Sequence, residues 1–76
     1  MYTNTQLLEE KIEKSGLKVA FIISNLGISD TAWYKKKNGK IPFRVAEMRV
    51  ICYLLHLTDD EAEDIFFSKG SVKTEQ

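Results

Sequence analysis

The sequence predicts an all-α fold, a compact bundle of five short helices. Three observations predict it. Apolar residues recur three and four positions apart along most of the chain. No stretch of useful length alternates apolar and polar residues as a strand does. Turn formers at Gly16, Gly27, Asn38-Gly39 and Pro42 cut the chain into pieces of helical length.

The first piece spans 4–15. Leu8 and Ile12 are four apart and share a face, with Leu7 beside them, and Gly16 supplies a stop. Glu10 and Lys14 have ion-pair spacing on the outer side. The second spans 18–25, with Val19, Ile22, Ile23 and Leu26 in helical phase and Gly27 at its end. The third spans 29–38. Ser29 is a good N-cap, and Asp30 suits the positive end of that helix. The fourth spans 44–55, where Val45, Met48, Ile51, Cys52 and Leu55 give one apolar stripe. His56 holds the slot where a glycine commonly ends a helix, so it reads as a C-terminal cap rather than a base. The fifth opens at Thr58-Asp59-Asp60-Glu61, a capping box, and runs to about 68. Ordered structure is therefore expected over 4–68, with a flexible tail at 69–76.

Seventy-six residues make one domain with a thin core. Trp33, Phe21 and Phe43 are expected in that core, because large aromatics dominate small ones. Val50, Tyr53, Leu54, Phe66 and Phe67 exceed what it needs, which leaves material for an interface between copies. The longest apolar run, 19–23, is too short to span a membrane, and the N-terminus lacks the pattern of a signal peptide. Cys52 is the only cysteine and sits among Val50, Ile51, Tyr53 and Leu54. It reads as a small buried hydrophobe in a chain without disulfides, which places the protein in a reducing cytoplasm. It has no partner ligands for zinc. No Ser/His/Asp arrangement, paired carboxylates or phosphate-binding glycine loop accompanies His56, so no enzyme activity, cofactor, metal or small-molecule ligand is expected.

Net charge is zero, but its distribution is uneven. Lys35, Lys36, Lys37, Lys40 and Arg44 lie together with no acid among them, while Asp59, Asp60, Glu61, Glu63 and Asp64 form an acidic block. The second and third helices meet at Asn25-Leu26-Gly27-Ile28-Ser29, a glycine-centred turn between two short helices. This is the helix-turn-helix arrangement, which presents its second helix to the DNA major groove.

The stretch Leu17-Lys18-Val19-Ala20-Phe21-Ile22-Ile23-Ser24-Asn25-Leu26-Gly27-Ile28-Ser29 resembles the lambda-repressor/Cro-type helix-turn-helix family. Trp33-Tyr34-Lys35-Lys36-Lys37-Asn38-Gly39-Lys40 resembles that family's recognition helix and exit turn. Pro42-Phe43 and Leu57-Thr58-Asp59-Asp60-Glu61 look like the small phage-related members. The resemblance covers roughly 7–67. It implies a five-helix bundle whose third helix reads double-stranded DNA, in a transcriptional regulator of phage or prophage repressor type that acts as a homodimer. It places Ser29, Asp30, Thr31, Tyr34 and Lys35 on the groove-facing side for base readout. It places Lys18, Lys36, Lys37, Lys40 and Arg44 near the phosphates. The competing expectation is a protein-interaction module that keeps the fold without DNA binding. Zero net charge, Asp30, Val19 and Ile23 favour it, and the acidic fifth helix suits a basic partner.

Overall fold

The computed structural model describes residues 3–67, and five helices account for most of them. They are α1 (Thr5–Ser15), α2 (Val19–Leu26), α3 (Asp30–Lys37), α4 (Val45–Leu55) and α5 (Asp59–Phe66). No strand occurs among the described residues. The tail expected at 69–76 lies outside them.

Local chemistry sets the boundaries. Asn4 Oδ1 accepts from the Leu7 N–H at 3.2 Å, and Ser29 Oγ accepts from the Ala32 N–H at 3.1 Å. Thr58 and Glu61 cap each other's backbone, so the box read in the sequence forms as expected. Gly27 closes α2 in the left-handed region at φ 71°, where a side chain would be strained. His56 takes the same region at φ 54° to end α4. It is therefore a cap, as expected, although it bears a Cβ.

The core joins Leu8 and Ile12 of α1, Ile22 and Ile23 of α2, Trp33 of α3, Ile51 and Leu55 of α4, and Ile65 and Phe66 of α5. Phe43, from the loop before α4, joins it between Trp33 and Phe66. Its ring meets Trp33 edge-on at 5.9 Å and Phe66 edge-on at 5.5 Å, a geometry that aromatic quadrupoles favour. α4 packs against α1, α2 and α5, and α1 packs against α5. The Asn4 N–H also donates to the Ile65 carbonyl at 2.7 Å, closing the chain's start onto α5.

Three expectations about the core are corrected. Phe21 is 49% exposed. It lies about 150° around α2 from the centre of the Ile22–Ile23–Leu26 stripe, so it points away from α4. Val45 is 63% exposed, because the buried phase of α4 is Glu47–Ile51–Leu55 and Val45 falls outside it. Phe66 is buried and not spare for an interface. The ion pairs also differ from those that sequence spacing suggests. Lys11 reaches across to Glu61 on α5 at 2.6 Å, and Glu9 pairs with Lys37 of α3 at 2.8 Å.

Candidate nucleic-acid interface

The eight residues of α3 divide sharply between two sides. Trp33 and Lys36 are buried, Ala32 and Lys37 half-buried, and Asp30, Thr31, Tyr34 and Lys35 exposed. Asp30–Tyr34 and Thr31–Lys35 are i, i+4 pairs, so the four exposed residues form one outward surface. Ser29 is exposed at its edge, with its oxygen already accepting the capping bond. Tyr34 is 52% exposed, and Lys37 Nζ lies 5.0 Å from its ring centroid. That contact holds the ring on the helix surface through a cation–π attraction.

Behind this surface α3 is fastened by side chains. Trp33 inserts fully into the core. Lys36 Nζ donates to both oxygens of Glu47 on α4, at 2.6 and 2.8 Å. Lys37 binds Glu9 of α1, and Thr5 Oγ1 donates to the Lys37 carbonyl. α3 is thus tied to two other helices near its C-terminal end. The exit loop folds back under it, since the Lys40 and Ile41 N–H groups both donate to the Lys35 carbonyl. This brings Lys40 to the end of α3.

The basic residues therefore do not act as one set. Lys36 was expected near phosphates, and the structure corrects this: its ammonium is buried and held by Glu47. Reaching a phosphate would strand a buried carboxylate, which is costly. Lys37 is partly covered and engaged with Glu9 and Tyr34. Lys35, Lys40 and Arg44 are exposed and make no ion pair among the described residues. Lys18 is exposed at the N-cap of α2, and no hydrogen bond or ion pair among the described residues links it to the α3–α4 group.

Two residues of this region escape sequence reasoning. Glu47 is the first. Burial pushes its carboxyl up, but the Lys36 ammonium, the Arg44 N–H at 2.8 Å and the charges of both residues outweigh burial, and the group ends below the ordinary glutamate value. Arg44 has only donors, so it does not return the capping bond. A signal was present: Glu47 stands four and eight residues before Ile51 and Leu55, in phase with the core. Arg49 is the second, an exposed cation on α4 beyond Arg44. Cys52 is half-buried, and burial, with the Asp59 charge behind it, raises its thiol above the ordinary value. It stays protonated near neutrality and is a poor nucleophile. Among the described residues no cluster of His, Cys, Asp or Glu could hold a metal ion, and no helix is long and apolar enough to cross a membrane.

No protein-family model, characterised protein or solved structure matches this chain.

Proposed function

We propose that this chain is a sequence-specific regulator that binds double-stranded DNA. In this reading α2 and α3 form a helix-turn-helix of the lambda-repressor/Cro type, α3 enters the major groove, and a cytoplasmic homodimer reads a palindromic site. One observation carries it: α3 is anchored from behind by Trp33 and Lys36 while Asp30, Thr31, Tyr34 and Lys35 stand free in front. A helix held rigidly with its polar side bare is what base readout needs. Thr31 and Lys35 can donate to base edges, Asp30 can accept from a cytosine amino group, and Tyr34 offers a flat apolar surface to a thymine methyl. Lys40, held at the end of α3, and the exposed Arg44 supply cations that can meet phosphates.

Fluorescence anisotropy against palindromic duplexes from beside the protein's own gene tests the proposal. Salt-sensitive binding is expected, weakened by Tyr34→Ala and by Lys35→Ala. A good base contact is worth about 1–3 kcal/mol, so each substitution should cost between several-fold and a hundredfold in affinity. Absence of any binding at low ionic strength refutes the reading.

A second reading has specific support. Glu47 and Glu9 hold two of the lysines that the DNA reading relied on, and net charge is zero. These favour a protein-interaction module that presents the same α3 surface to a protein. A stoichiometric protein partner whose binding is lost on Tyr34→Ala, with DNA ignored, would decide for it.

A further inference from the structure

The outward face of α4 differs from those of its neighbours. α1 turns Gln6, Glu9, Glu10 and Glu13 to solvent, a polar surface throughout. α4 exposes Val45 at 63% and Tyr53 at 79%, the two most exposed large apolar residues among those described. Arg49 lies between them and Ala46 beside them, all within about 100° of the helix circumference. Arg49 makes no ion pair among the described residues. The outward face of α5 has the opposite character. Asp60, Glu63 and Asp64 are exposed there, and Phe67 follows at the C-cap, 40% exposed and in phase with Asp60 and Glu63.

We infer that the outer face of α4 docks against α5 of a second copy of this chain. Arg49 then faces the three carboxylates, and Tyr53 or Val45 covers Phe67. Charge selects this pairing. Packing α4 against α4 about its middle sets Arg49 against its own counterpart, and α5 against α5 sets carboxylates against carboxylates. Of these three pairings the crossed one opposes unlike charges and also covers Phe67, and about a two-fold axis it is made twice. The contact uses none of the exposed residues of α3. It gives the homodimer of the DNA reading a surface, but it stands or falls without DNA. Helices this short cover less than the roughly 1,200–2,000 Å² of a standard interface, so the association is weak and salt-sensitive.

Sedimentation equilibrium of the full chain, up to about 1 mM protein at low salt and again at about 0.3 M salt, tests the inference. A reversible dimer is expected at low salt and less of it at high salt. Arg49→Glu alone, and Asp60→Lys with Asp64→Lys, should each raise the dimer dissociation constant by about tenfold or more. All three positions are exposed, so circular dichroism should show folded protein in both variants. Mixing the two variants should restore a one-to-one dimer, because both crossed contacts then oppose unlike charges again. A wild type that stays monomeric throughout, variants that dimerise as well as wild type, or a mixture no better than its components each overturns the inference. A wild-type dimer that ignores DNA counts against the DNA reading alone and supports this one.

Discussion

Lys36 and Glu47 bear the most consequential contact made by any single pair of residues. Both are buried, and the lysine bonds both carboxylate oxygens. Removing one partner strands the other charge, so Lys36→Met should cost about 3 kcal/mol in urea unfolding. Replacing both, Lys36→Met with Glu47→Leu, should recover much of that loss, since a buried pair contributes little beyond an apolar pair of similar size. A double variant less stable than Lys36→Met would show that the pair is net stabilising. The same carboxylate gives a pH dependence. Its folded-state value lies below the ordinary one, so the unfolded chain binds the proton more readily as pH falls. The contribution is complete above the ordinary glutamate value of about 4.3 and is lost as pH drops through the lower folded value. Acid titration of wild type should therefore lose stability below about pH 4.5, and Glu47→Gln should flatten that slope. At His56 a substitution should stabilise the fold. It holds φ 54° against its own Cβ, so His56→Gly should raise the melting point, by about 0.5–1 kcal/mol in stability after the extra freedom of unfolded glycine is counted.

Among the elements, α3 depends most on a few side chains. Trp33→Ala should cost about 3–5 kcal/mol, enough to unfold a domain of this size or leave it marginal. Trp33→Phe should cost far less. The indole N–H is buried with no acceptor among the described residues, so losing it removes a penalty of about 1–3 kcal/mol that offsets the lost volume. Thermal melts of the two variants check this, and equal losses would contradict it. The five helices were legible because their ends are written in local chemistry: Ser29, Thr58 and Gly27 each act within a few residues. The faces of the helices were less so. In α2 nearly every residue is apolar or small, so periodicity alone could not say that Phe21 is the one left outside. In α4 a glutamate occupies a core position, and a stripe traced through apolar residues rotates away from the true one onto Val45. The exposed face of α3 was readable from Trp33 outward, since one large aromatic fixes the phase of an eight-residue helix. Lys36 was not, because its burial depends on a carboxylate eleven positions away on another helix.

Across the whole molecule, a neutral chain can still present a positive surface if its acids are engaged or lie elsewhere. Both happen here. Glu9, Glu47 and Glu61 are each paired with a lysine, and the remaining acids of α5 lie on a different element from Lys35, Lys40 and Arg44, which leaves Asp30 as the one acid on the exposed surface of α3. The pairing has a cost for DNA binding, since the lysines in those bridges no longer face outward. Counterion release turns this into a number. Each phosphate neutralised steepens the fall of log affinity with log salt by about 0.9. If Lys18, Lys36, Lys37, Lys40 and Arg44 all met phosphates, the slope would be about −4.5 per chain. With Lys36 and Lys37 held by Glu47 and Glu9, Lys18, Lys40 and Arg44 remain, and the slope should be about −2.7. Anisotropy titrations at several salt concentrations separate the two values. Lys40→Ala and Arg44→Ala should each flatten the slope by about 0.9. Lys36→Met should leave it unchanged wherever the variant is still folded, because that ammonium answers to Glu47 and not to the solvent. A slope that flattens on Lys36→Met would mean the buried pair opens on DNA, and the rigid placement of α3 would have to be given up with it.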